Sequence, residues 1–74
     1  MDKIAQKELT RVVQEAFRYH APACIGVAEI THFVEWAEKY TATEEEILES
    51  VDQLLRIRFV TRSSCGWQIS FPRN

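Results

Sequence analysis

Apolar residues recur at three- and four-residue intervals through about residue 55, and from there they fall on every second position. Leu9, Val12, Val13, Ala16 and Phe17 form the first stripe. The pattern predicts a helix from Asp2, placed to cap its start, to about Tyr19, with Ala21-Pro22 ending the run. After a loop around Pro22 and Gly26, a second helix carries Ile30, Phe33, Val34, Ala37 and Tyr40 on one side and Thr31, Glu35 and Glu38 on the other. Thr43-Glu44-Glu45-Glu46 reads as a capping box. The Thr43 hydroxyl accepts from the N–H three residues on, and the Glu46 carboxylate reaches back to the N–H of Thr43. A third helix therefore starts there, with Ile47, Val51, Leu54 and Leu55 as its inward stripe and carboxylates at the positive end of its dipole.

The change of period predicts a β-hairpin. Phe59-Val60-Thr61-Arg62 precedes Ser63-Ser64-Cys65-Gly66, after which Trp67, Ile69 and Phe71 alternate with Gln68 and Ser70. Gly66 supplies permissive backbone at the end of the turn. The expected core is Val13, Phe17, Ile30, Phe33, Val34, Ile47, Val51, Leu54, Ile69 and Phe71.

Three helices followed by a hairpin, with only Thr41-Ala42 ahead of the third helix's cap, is the order of a winged helix-turn-helix. Trp36-Ala37-Glu38-Lys39-Tyr40, Ala42-Thr43, Ile47, Val51, Leu54 and Phe59-Val60-Thr61-Arg62 resemble, without a gap, the helix-turn-helix and first wing strand of bacterial and phage winged-helix regulators. The resemblance covers residues 36–71; the first helix matches in length and pattern only. Two positions depart from the family. Thr41 stands where the turn normally has glycine, so it must leave the helix without glycine's freedom at positive φ, and the second helix reads one turn longer than usual. The expected fold is α+β, a single winged-helix domain over residues 1–74.

A chain of 74 residues, 46% of them apolar and with two Gly and two Pro, holds one core and shows no linker or repeat. The expected setting is cytoplasmic, because Met-Asp-Lys-Ile opens no apolar signal segment and no apolar run approaches the roughly 18 residues that cross a bilayer. Cys24 and Cys65 could form one disulfide, but the expected reducing compartment would keep them unpaired, and folding is expected to need neither metal nor disulfide. The net charge of −2 hides a division: residues 1–52 carry all 11 carboxylates and five cations, whereas residues 53–74 carry four Arg and no acid.

Catalytic chemistry finds little footing. His20, His32, Cys24 and Cys65 are the candidate zinc ligands, but they lack the close paired spacing that organises a tetrahedral site, so no metal or cofactor is expected. Cys65, near Arg62 in the turn, could serve as a redox-sensitive thiol, although a small residue in a turn needs no such role. Glu44, Glu45 and Glu46 are adjacent and diverge around a helix, which suits a cap and a solvated surface better than an acid–base pair. There is no glycine-rich phosphate loop. The reading is of a binding module, not an enzyme.

The resemblance implies duplex DNA as partner, with the third helix in the major groove. The residues argue otherwise, because that helix turns Glu45, Glu49 and Asp52 outward, with Leu48 beside them, where its relatives that read DNA carry basic or neutral polar side chains. Carboxylates set against a row of phosphates convert the attraction that dominates DNA affinity into repulsion. This face is the candidate protein-binding site, and Trp36 with Tyr40, one turn apart, is a candidate aromatic patch for a protein partner or a homodimer. Arg56, Arg58, Arg62 and Arg73 are the rival signal, a wing able to touch phosphates. Against it, Arg56 can pair with Asp52 at i, i+4, and the others can decorate the solvent side of the hairpin. The expected function is regulatory, in transcription or in control of a mobile element such as a phage. The alternatives are DNA binding through the wing and a structural subunit of a larger complex.

Overall fold

A computed structural model describes residues 2–70, with side chains from Ile4 onward. The elements run β1 (Asp2–Lys3), α1 (Gln6–His20), α2 (Val27–Trp36), β2 (Tyr40–Thr41), α3 (Glu44–Arg56), β3 (Val60–Ser63) and β4 (Gly66–Ile69). Three helices with an antiparallel hairpin after them make an α+β layout compatible with the expected order. No helix among the described residues is long and apolar enough to cross a membrane.

The core forms where the helical stripes meet. Leu9, Val12, Val13, Ala16 and Phe17 of α1, Ile30 and Val34 of α2, and Ile47, Val51 and Leu54 of α3 are buried together with Ile4, Ile25 and Val60. Phe33 and Ile69, expected at the centre, are half-buried at its edge, and Phe71 lies outside the described residues. The most extensive packing is between α1 and α3, where Ser50 is fully buried. Its hydroxyl accepts from Gln6 Nε2 at 2.7 Å and lies 3.0 Å from the Thr10 hydroxyl, while Gln6 Nε2 also donates to the Glu46 carbonyl at 3.1 Å. Satisfied in this way, a buried hydroxyl carries no desolvation penalty and pins the start of α1 to α3.

The N-terminus differs from the sequence expectation. Asp2 begins a parallel pairing in which Asp2 meets Tyr40 and Lys3 meets Thr41, and α1 starts at Gln6 with Ala5, not Asp2, at its cap position and no side-chain cap there. Ile4 supplies the reason. Continued backward, the helix would carry Ile4 to the side opposite the stripe of Leu9, Val13 and Phe17, whereas extended backbone lets it turn into the core.

The second helix is shorter than expected, not longer. It ends at Trp36, and the break is at Lys39, whose φ of 61° is left-handed. Thr41, expected to stand in for a turn glycine, is extended in β2 instead. Its neighbour Tyr40 packs against the core from the strand. At the end of α3 the N–H of Phe59 donates to the Leu54 carbonyl at 2.9 Å and the N–H of Arg58 to that of Leu55 at 3.1 Å. These two bonds form a Schellman motif in which Arg58, at φ 62°, occupies the left-handed position that glycine usually takes.

The hairpin pairs Val60 with Ile69, Thr61 with Gln68, Arg62 with Trp67 and Ser63 with Gly66. It is fastened to the body by Ile25, whose N–H and carbonyl exchange bonds with Trp67 at 2.8 and 2.9 Å on the side of β4 away from β3. Gly66 makes this approach feasible. A Cβ built there would lie 2.2 Å from the Ile25 carbonyl oxygen, and its φ of 147° is one that other residues rarely adopt.

Contrary to the expectation of unpaired thiols, Cys24 and Cys65 form a disulfide beside that bridge, with a Cα separation of 6.0 Å. The docking of the hairpin turn onto the segment before α2 brings them together across 41 residues of chain. Cys65 is therefore not the lone thiol that a redox-sensitive reading required.

Two predictions follow from the hairpin's attachment. Gly66→Ala destabilises the domain by about 2–3 kcal/mol in denaturant unfolding, because it combines a strained φ with backbone overlap. Gly26→Ala, whose Cβ would meet nothing closer than 3.4 Å, costs under about 1 kcal/mol; equal losses for the two would refute the close-approach account. Reduction of Cys24–Cys65 removes the closure of a long loop, worth about 4 kcal/mol by chain entropy, so a dithiol reductant lowers the thermal midpoint. An unchanged midpoint with both thiols shown to be free would restore the original expectation.

Candidate functional site

Because Ile47, Ser50, Val51 and Leu54 are buried, the 100° step of the helix turns Glu45, Glu49, Asp52 and Arg56 to the opposite side of α3. Glu44, Glu45 and Glu49 are exposed, Asp52 is half-buried, and Leu48 sits at the edge of this face, 38% exposed. The first turn is built as the sequence predicts: Thr43 Oγ1 accepts from the Glu46 N–H at 3.1 Å, and Glu46 Oε1 accepts from the Thr43 N–H at 2.9 Å. Glu46 is thereby engaged in the cap, leaving Glu44 and Glu45 as the outward carboxylates of that turn. Gln53 Nε2 makes a long bond of 3.4 Å to Glu49.

The arginines do not gather into one strip. Arg56 closes the acidic face with a 2.9 Å ion pair to Asp52, a solvent-exposed contact worth under about 1 kcal/mol. Arg58 is exposed at the exit of α3, and Arg62 is exposed on β3, opposite Trp67. Since paired residues share a sheet face, Arg62 lies on the side of Trp67 and Val60, not on the outer side with Thr61 and Gln68. Trp67 is itself half-buried against the core, which leaves less of its ring for base stacking than an exposed aromatic would offer. Arg73 lies outside the described residues.

The expected aromatic patch divides. Tyr40 leaves with β2 and packs on the core, while Trp36 remains at the end of α2, 76% exposed and stacked on His32 with ring centroids 5.6 Å apart. A different aromatic group forms instead. Tyr19, 75% exposed at the end of α1, sits 5.7 Å from the Phe33 ring and 5.1 Å from that of His20. Tyr19, His20, Glu29, His32, Phe33 and Trp36 line a concavity of about 250 Å³ between the two helices. The sequence carries a partial signal for it, because Glu29, His32, Phe33 and Trp36 follow i, i+3, i+4, i+7 spacing. What the sequence lacks is the placement of α1's last turn beside that face.

Glu29 Oε1 accepts from the Gly26 N–H at 2.9 Å, which caps α2. That bond, and one from its own N–H, hold the Glu29 carboxyl below its ordinary value, with a further contribution from the charge of His20. A depressed folded value means that this cap contributes above the unfolded pKa and is lost as pH falls through the folded one. A larger concavity, about 530 Å³, lies between α1 and the end of α3; Lys7, Glu8, Arg11 and the exposed Ile57 are among its walls, and a Glu8–Arg11 ion pair spans 2.6 Å of it. Among the described residues, no three His, Cys, Asp or Glu side chains converge in a way that could hold a metal ion. Comparisons with protein-family models, with curated proteins and with solved structures gave no match to this chain.

Proposed function

We propose that this chain is a small, non-enzymatic winged-helix regulatory module of the cytoplasm, working in transcription or in control of a mobile element such as a phage. It acts mainly through protein contacts made by the outward face of α3. One observation carries the reading: Glu45, Glu49 and Asp52 occupy the side of α3 that a DNA-reading helix would press into the groove, and the helix has no cation before Arg56. Phosphate attraction supplies most of the sequence-independent affinity for DNA, and carboxylates on that side oppose it. Leu48, partly exposed at the edge of that face, gives a protein partner an apolar contact beside the carboxylates. The cytoplasmic setting is the part of this reading that Cys24–Cys65 weighs against, since thiol pools there keep such pairs reduced.

A second reading, DNA binding through the wing, is favoured by Arg58. Its side chain is exposed at the exit of α3, close in the chain to the hairpin strand that carries the exposed Arg62. Homodimerisation and service as a structural subunit of a larger complex draw on the same exposed faces without a specific observation of their own.

Titration against random duplex DNA at several salt concentrations separates the two main readings. The wild type should bind weakly at low salt and not measurably at physiological salt. Glu45→Lys with Glu49→Lys should bind more tightly and steepen the slope of log K against log salt by about 1.8, as two more phosphates shed their counterions. Tight wild-type binding to a specific duplex, abolished by Glu45→Ala with Glu49→Ala, would instead make α3 a base-reading helix.

A further inference from the structure

The concavity between α1 and α2 combines three features that together select one kind of occupant. Its rim is aromatic and open to solvent: Trp36 and Tyr19 are each about three-quarters exposed, whereas the other large rings among the described residues are half-buried or buried. An indole and a phenol facing water are costly in apolar hydration and present negative ring faces. The second feature is Glu29, the one carboxylate in the lining among the described residues, where its basic neighbours are the imidazoles of His20 and His32 and not Lys or Arg. The third is that this carboxylate is fixed in place, because one of its oxygens is tied to the Gly26 N–H at the start of α2. A carboxylate has about four acceptor sites, so the cap leaves it able to accept from a ligand. His32, stacked parallel to Trp36, supports one face of the indole and leaves the ring standing as a wall.

We propose that this concavity is a docking site for an arginine side chain of a protein partner. Charge complementarity to Glu29 requires a cation. The exposed aromatic walls favour a planar, weakly hydrated guanidinium, which stacks on a ring and directs a fork of donors to a carboxylate, over a compact and strongly hydrated ammonium. The site is built from α1 and α2 and does not depend on the acidic face of α3, so the two surfaces stand or fall separately.

The probe is N-acetyl-arginine amide, titrated into the isotopically labelled full chain. Its neutral, nearly isosteric counterpart N-acetyl-citrulline amide and the ammonium-bearing N-acetyl-lysine amide serve as controls. The Trp36 indole N–H and the ring signals of His32 and Tyr19 should shift with the arginine probe, less with lysine, and not with citrulline, while the Trp67 indole N–H stays in place. Trp36→Ala removes a wall that is mostly solvent-exposed, and Glu29→Gln removes the charge while keeping an oxygen to accept from Gly26, so both variants retain the fold. Each should weaken the arginine probe about two- to five-fold. Equal response to citrulline, affinity unchanged in either variant, or shifts confined to Glu45 and Glu49 of α3 would overturn the proposal. A stronger response to lysine than to arginine would overturn the assignment to a guanidinium.

Discussion

Helix α3 can bury only one side, and the choice of side determines almost everything that the surface offers. Ile47, Val51 and Leu54 meet Leu9, Val13 and Phe17 of α1 in the core, with Ser50 filling the contact and bonded to Gln6. Rotating α3 to present another face would expose three large aliphatic side chains, each worth about 1.5–3 kcal/mol of burial, and would strand the Gln6 amide. The outward direction of Glu45, Glu49 and Asp52 is therefore a consequence of the core. A partner that meets α3 must accept carboxylates.

The hairpin depends on a narrower condition. Besides the packing of Val60, Trp67 and Ile69 on the core, Ile25 bonds to Trp67 and fastens the hairpin to the segment before α2, and the two backbones come so close at Gly66 that a methyl group has no room. The disulfide adds a covalent tie at the same place, coupling the loop before α2 to the hairpin turn. Backbone pairing, a glycine and a cross-link thus act on one junction. This concentration suits a domain of 74 residues, in which burial alone leaves little margin.

Local chemistry was legible in the sequence wherever it was complete within a few residues. The Thr43 capping box, the stripe of α3, the change of period at the hairpin and the Asp52–Arg56 pair each need only short spacing to be read, and each stands in the structure. Features that depend on two distant segments were not legible. Tyr40 lies in phase with the stripe of Ile30, Phe33 and Val34, so periodicity runs on through a break that occurs at Lys39, a residue with no intrinsic preference for left-handed backbone. Asp2 resembles a helix cap until its backbone is seen to pair with Tyr40. Cys24 and Cys65 meet because the hairpin folds back onto Ile25. The candidate site divides in the same way: helical spacing gave the acidic face, whereas the Tyr19–Trp36 concavity needs the angle between two helices.

Both candidate surfaces select the same sign of charge. Carboxylates on the outer side of α3 repel anions and attract cations, and the concavity at Glu29 sets a fixed carboxylate among open rings. The two arise from separate causes, the rotation of α3 on the core and the capping of α2 by Glu29, and they are joined by the excess of acid over base in residues 1–52. A basic partner can engage either surface without competing with the other for residues. The arginines beyond residue 52 stand on the end of α3 and on the hairpin, where only Arg56 has been drawn into the acidic face. Within the helical body Arg11 and Arg18 pair with Glu8 and Glu15 on α1, so neither neutralises Glu45 and Glu49, and the negative field of α3 is offset by Arg56 alone at its last turn.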